Sequence, residues 1–223
     1  MTSAPAALIF DMDDTLLATA SLWLHAETTL LAALGHPWTP ALATQYKGMN
    51  ALDVAATIHR ILKPILSLPD CQQLMRQTLL EAFSATAPSP MPGALQRVPE
   101  FAQHLPLALA SGSPLSAIHS ALKHLHLHTY FTHIISSESV SRGKPSPDVF
   151  LAAAATLHMP PSRCLVFEDS LVGVQAARAA GMLCFAIPSS HPTEIQQIAT
   201  RTFTSLADIN WSDISTALQL PAV

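Results

Sequence analysis

The apolar run from Ala6 to Phe10 stops abruptly at Asp11-Met12-Asp13-Asp14-Thr15. So short and unbroken a run reads as a strand buried on both faces, whose C-terminal edge delivers Asp11 and Asp13 into a turn. From Leu17 the period changes. Trp23, Ala26, Leu30 and Leu34 recur at helical steps and meet Gly35 and Pro37, a helix stop. Ala51 to Leu62, with Asp53 in its first turn, and Asp70 to Phe83 read as further helices. Pro64, Pro69 and the cluster Pro88 to Gly93 break them apart. Residues 17–88 thus read as an all-helical segment bounded by loop chemistry.

Beyond Gly93 helices and strands alternate. Leu105 to Ala110 is apolar and ends at Ser111-Gly112-Ser113, and Ser113-Pro114 predicts an N-cap and N1 proline for the next helix. His133-Ile134-Ile135 is a shorter strand. Gly143-Lys144-Pro145 precedes a second Ser-Pro helix start at Ser146-Pro147. Cys164 to Phe167 runs into Glu168-Asp169-Ser170, after which Val172, Ala176 and Ala180 mark a helix closed by Gly181. Leu183 to Ile187 is a further apolar run.

This alternation predicts an α/β fold, a Rossmann-like parallel-sheet core over residues 1–16 and 89–223 with an inserted all-helical cap over 17–88. In such sheets ligands bind outside the carboxyl ends of the strands. Asp11, Ser111 and Glu168-Asp169 should then share one edge.

Composition narrows the partners. With 49% apolar and 12% charged residues, the 223-residue chain is expected to form a compact globule. A formal net charge of -4 offers no footprint for nucleic acid or an anionic membrane. The start Met-Thr-Ser-Ala-Pro lacks a leader pattern, no run approaches a membrane span, and Cys71, Cys164 and Cys184 form no metal or disulfide spacing. A cytoplasmic monomer or weak dimer with three core cysteines is the expectation. His124, His126 and His128 alternate like ligands, but they fall at a helix end and loop, where His126 reads as a left-handed closing residue.

The acidic strand ends carry the chemistry. Neighbouring carboxylates repel, which calls for a hard divalent cation between them or for a nucleophile working with an acid/base partner. Their alternative reading is as turn and cap residues. The set as a whole suits Mg²⁺-assisted phosphoryl transfer. In that scheme Asp11 and Asp169 hold the metal and Asp11 attacks phosphorus. Asp13 moves the proton, Ser111 and the Gly112 N–H hold phosphoryl oxygens, and Lys144 offsets their charge.

Asp11-x-Asp13-x-Thr15, Ser111, Lys144-Pro145, and Glu168-Asp169 followed by Gly173 and Gly181 resemble the four motifs of the haloacid dehalogenase superfamily. The stretches Gly143 to Phe150 and Phe167 to Ala177 resemble its branch of β-phosphoglucomutases and sugar-phosphate phosphatases. The resemblance implies that the Asp13 backbone carbonyl completes the metal ligands, that Glu168 supports them, and that the cap closes over a small phosphorylated metabolite. It also places Lys47, in Tyr46-Lys47-Gly48-Met49, as a substrate contact from the cap.

Two features depart from that branch as a whole, and two more set the chain apart from its mutases. Asp14 stands where glycine is common, and Ala18-Thr19-Ala20 replaces an acidic hinge stretch. Ala51 stands in place of a mutase arginine and Trp23 in place of a mutase histidine, while Leu22-Trp23 resembles the sugar phosphatases. A phosphatase is therefore expected over a phosphomutase or a non-catalytic binding protein, and Asp13 argues against a dehalogenase.

Overall fold

The structure, a computed structural model, describes residues 5–220. Residues 1–4 of the stretch read for a leader pattern and the outer ends of the expected core span lie outside the described residues. The chain opens with β1 (Ala7–Phe10) and β2 (Leu17–Ala18), then runs through α1 (Ala20–Ala33), α2 (Pro40–Ala43), α3 (Ala51–Leu62) and α4 (Leu68–Ala85). It returns through β3 (Ser89–Pro90), α5 (Ala94–Ala102), β4 (Leu107–Ser111), α6 (Leu115–His124) and β5 (Phe131–Ser136). The last part comprises α7 (Asp148–Thr156), β6 (Cys164–Glu168), α8 (Leu171–Ala179), β7 (Leu183–Ala186), α9 (Pro192–Ile198), β8 (Arg201–Thr202) and α10 (Trp211–Ala217).

Six strands form a parallel sheet in the order β5-β4-β1-β6-β7-β8. Alternation along each strand divides the core. Leu8, Phe10, Leu109 and Phe167 face one layer, while Ala7, Ile9, Ala108, Ala110 and Val166 face the other with Val149, Phe150 and Ala153 of α7. Both faces are covered, which is why the strands read as unbroken apolar runs. After β5 the chain crosses back to the far side of β1, so β1 is the switch point at which a parallel sheet opens a crevice.

Phe167 anchors the centre. Its ring stacks on Phe10 at 4.3 Å and 13°, with Phe101 at 6.0 Å on a near-parallel plane and Phe185 edge-on at 6.1 Å. The residues that follow Phe10 and Phe167 are Asp11 and Glu168, so one aromatic stack supports both acidic strand ends.

The helical insertion packs on itself, α4 lying against α1 and α3, and joins the core through the antiparallel β2–β3 ribbon. That ribbon was not expected from the prolines around Ser89. Pro90 is accommodated because the ribbon pairs only Leu17 with Pro90 and Ala18 with Ser89. Both predicted serine caps are corrected. Helix α6 begins at Leu115 with Pro114 as its cap residue, and α7 begins at Asp148 with Pro147, neither with a side-chain cap. Ser113 and Ser146 bond carboxylates instead, Asp13 and Asp148 respectively. His126 does adopt φ 56° behind α6, and Cys71, Cys164 and Cys184 are buried free thiols. Among the described residues no helix is long and apolar enough to cross a membrane.

Phe167→Ala should cost about 3–5 kcal/mol of stability, since it empties the middle of the aromatic row. The urea midpoint would fall accordingly, and a midpoint unchanged from the native protein would contradict this placement.

Candidate active site

Asp11 leaves β1 with its N–H donated to the Phe167 carbonyl at 3.0 Å, and the chain then folds tightly, with Leu16 and Leu17 N–H groups on the Met12 carbonyl. Asp14 sits inside this turn at φ 54°. That left-handed backbone favours glycine, and aspartate is among the side-chain-bearing residues that tolerate it. Its carboxylate adds something glycine cannot. Asp14 Oδ1 accepts the N–H groups of Thr19 and Ala20 at 3.0 Å each, at a helix start where the Thr19 side chain makes no cap bond. The acid missing from Ala18-Thr19-Ala20 is in effect supplied from Asp14.

Three strand and loop ends meet around one ammonium. Lys144 Nζ, 4% exposed, donates to Asp11 Oδ1 at 2.5 Å and to Glu168 Oε1 at 2.6 Å. Asp11, Glu168 and Asp169 each offer a carboxylate oxygen within 4.8 Å of the others. Ser170 N–H and Oγ donate to Glu168 Oε2, and Ser189 Oγ donates to Asp169 Oδ2. Glu168 thus has both oxygens engaged, whereas Asp11 Oδ2 and Asp169 Oδ1 take no bond among the described residues. Gly173 is required here because a Cβ on it would overlap the Glu168 carboxyl group.

The electrostatics follow from burial. Three buried carboxylates share one ammonium, a surplus of negative charge. Burial pushes the Asp11 and Asp169 carboxyls well above their ordinary range, Glu168 adds repulsion to both, and Lys144 only partly offsets it. Burial alone would discharge Lys144, but Asp11 and Glu168 outweigh it and hold the ammonium above its usual range. Unsatisfied carboxylate oxygens of this kind fit a hard divalent cation, which takes oxygen ligands.

Asp13 points elsewhere. Its carboxylate accepts Ser111 Oγ at 2.8 Å, Ser113 Oγ at 2.9 Å and Trp23 Nε1 at 3.0 Å. The Asp13 side chain is therefore outside the carboxylate trio, which leaves its backbone carbonyl, the group that the family resemblance named, for any part in metal binding. Ser111, fully buried, spends its hydroxyl on Asp13 and accepts the Ser113 N–H. Neither Ser113 nor the Trp23 indole was read from the sequence as a partner of Asp13. The Ser-Pro pattern pointed Ser113 at a helix start, and nothing in the chain's order pairs residues 23 and 113 with residue 13.

The helical insertion lies directly on this edge. A Cβ on Gly112 would meet Asn50 Cα at 3.1 Å, Gly48 at φ +80° presses on Ser170 and Val172, and Gly143 abuts the Asn50 side chain. Arg76 on α4 bonds Glu138 at 2.6 Å, and Glu138 Oε2 accepts the Leu115 N–H, doing for α6 what Ser113 does not. Between insertion and sheet edge a cavity of about 380 Å³ remains. Asp11, Asp13, Gly112, Lys144, Glu168 and Asp169 line its floor, and Lys47 with Trp23, Trp38 and Met49 lines its roof. Lys47 makes no ion pair among the described residues.

The chain is 33% identical over 207 residues to the bifunctional riboflavin kinase/FMN phosphatase of Arabidopsis thaliana, covering 91% of itself but only 54% of that relative. It is 32% identical over 181 residues to fructose-1-phosphate phosphatase YqaB of Escherichia coli (strain K12), covering 79% of itself and 93% of that protein. Among solved structures it superposes on CbbY from Rhodobacter sphaeroides in complex with phosphate, with a TM-score of 0.79, 26% identity and coverage of 97% and 100%. Residues 5–181 match the family described as haloacid dehalogenase-like hydrolase, and the chain belongs to that family.

Proposed function

We propose that this hydrolase removes phosphate from a small phosphomonoester, a sugar phosphate or a related metabolite, through an aspartyl-phosphate intermediate on Asp11. The observation that carries the reading is the buried group of Asp11, Glu168 and Asp169 around the Lys144 ammonium, on the floor of a cavity beside a hydrogen-bonded Asp13. Residues 17–88 would act as a cap over a core of residues 1–16 and 89–223. Closure of the cap would keep bulk water from the phosphorylated enzyme.

Asp11 attacks phosphorus, and the bond to the leaving oxygen breaks. Asp13 donates a proton to that oxygen, then takes one from the water that cleaves the acyl phosphate. Trp23, Ser111 and Ser113 fix the direction of Asp13. Lys144 neutralises phosphoryl oxygens from below, the Gly112 N–H bounds them from the side, Ser111 would join it only by turning its hydroxyl from Asp13, and Lys47 meets the substrate from the cap. Asp11, Asp169 and the Asp13 carbonyl would hold Mg²⁺, with Glu168 in support; the cation would supply charge neutralisation between nucleophile and phosphate. Ala51, buried at the start of α3, offers no cation for a second phosphate, which disfavours a mutase.

Phosphate release from sugar and nucleotide monophosphates should require Mg²⁺. Asp11→Asn should lower it on the order of 10³-fold or more, and Asp13→Asn by roughly 10²–10⁴-fold. Release that survives Asp11→Asn would overturn the aspartyl-phosphate reading.

Metal binding should also appear in stability. Asp11 and Asp169, raised above 3.8 in the folded chain, keep protons that the unfolded chain has already lost, so metal-free stability falls as pH climbs past that value. The Tm gain on adding Mg²⁺ should therefore grow as pH rises above the ordinary carboxylate range. Asp169→Asn should raise the metal-free Tm at neutral pH, by roughly 2–4 °C for each kcal/mol relieved, and shrink the Mg²⁺ response. A Tm indifferent to both Mg²⁺ and this substitution would argue against the site.

A further inference from the structure

The roof of the cavity is chemically unlike its floor. Trp23, Leu24, Trp38, Pro40, Ala43 and Met49 make a broad, largely apolar and aromatic surface. Set into it is one carboxylate, Glu27, on the same helix as Trp23 and one helical turn beyond it. Trp38 Nε1 donates to Glu27 Oε2 at 2.8 Å and the Tyr46 hydroxyl donates to the same oxygen at 3.3 Å. Two rigid aromatic donors thus fix the carboxylate, and Oε1 takes no bond among the described residues. Nothing in the phosphate chemistry uses Glu27.

The other polar groups of the roof are few. Thr44 spends its hydroxyl on the Ala41 carbonyl at 2.9 Å, and Tyr46 is 1% exposed with its hydroxyl on Glu27. Lys47 stands at the wall and is exposed. A polyol reaching this surface would lose water from several hydroxyls and find too few partners for them. A flat ring would instead stack on indole faces and lose little, and an N–H at its edge would meet the free oxygen of a fixed carboxylate. A cavity of about 380 Å³ is of a size that holds such a ring together with a short arm bearing phosphate.

We propose that the substrate's far end is a flat heterocyclic or aromatic ring carrying an N–H donor, stacked on the Trp23 and Trp38 surface and hydrogen-bonded to Glu27 Oε1. This rests on the hydrolase reading for the phosphate end and adds the identity of the leaving group. Glu27 is a specificity-determining residue in this scheme and takes no part in bond breaking. Burial lifts its carboxyl above the ordinary range, against the bonds from Trp38 and Tyr46 and the charge of Lys47, so recognition of the N–H should weaken in acid.

The test compares uridine 5′-monophosphate, its N3-methyl analogue, 4-aminophenyl phosphate, 4-methylphenyl phosphate and glucose 6-phosphate by kcat/KM with Mg²⁺. In the native protein each ring N–H or amino ester should exceed its methyl counterpart by about tenfold, and both should exceed glucose 6-phosphate. Glu27→Gln should reduce the tenfold preference to about twofold, and Trp38→Phe, which deletes one bond that fixes Glu27, should reduce it partly. Folding of both variants is checked by circular dichroism. Uridine and 4-aminophenol, which need no turnover, should also quench tryptophan fluorescence saturably, and more weakly in Glu27→Gln.

Glucose 6-phosphate as the best substrate, or an N–H preference untouched in Glu27→Gln, would overturn the inference. If no ester turns over but saturable quenching persists, the ring site stands and the hydrolase reading falls; if quenching is also absent, the ring site falls too.

Discussion

The placement of one ammonium governs this molecule. Lys144 is buried between Asp11 and Glu168, and a buried charge is tolerable only when it is paired and hydrogen-bonded. The pairing ties the end of β1, the end of β6 and the loop before α7 into one edge. It also leaves the edge short of positive charge, because Asp169 belongs to the same group and has no ammonium of its own. The result is an acidic surplus held by packing, with Phe10 and Phe167 stacked beneath it.

The helical insertion answers that edge at close range. Gly48, Gly112 and Gly143 are small because the neighbouring segment lies against them, and Trp23 reaches from α1 to the carboxylate of Asp13. The same helix carries Glu27, so α1 contributes both to the orientation of the Asp13 carboxylate and to the roof of the cavity. The two walls of one cavity differ in chemistry: the floor is charged and the roof is largely apolar and aromatic.

Much of this could be read before any coordinates. An unbroken apolar run ending in acid has few physical meanings, and three such runs followed by helices of crossover length imply a parallel sheet with its polar ends on one edge. Local pairs were less legible. Ser113 and Ser146 each precede a proline, the pattern of a helix cap, yet each bonds a carboxylate instead. The pattern describes backbone capping alone, and it is blind to a side-chain acceptor, whether a hundred residues away as for Ser113 or two residues on as for Ser146. Asp14 is the reverse case: it stands where glycine is common, and its positive φ with two accepted N–H groups shows what the carboxylate adds.

The sequence by itself determined the alternation of strand and helix, the helical insertion and the residues that compose the reactive edge, because hydrophobic period and the chemistry of single residues are local properties. Only the tertiary structure decided which partners those residues take. Asp13 turns to Trp23, Ser111 and Ser113 while Asp11 turns to Lys144, and Glu27 is fixed by Trp38 and Tyr46 with one oxygen left open. Such choices depend on the register of packed segments distant in the chain, where a shift of one residue changes the partner and no pattern of neighbours records it.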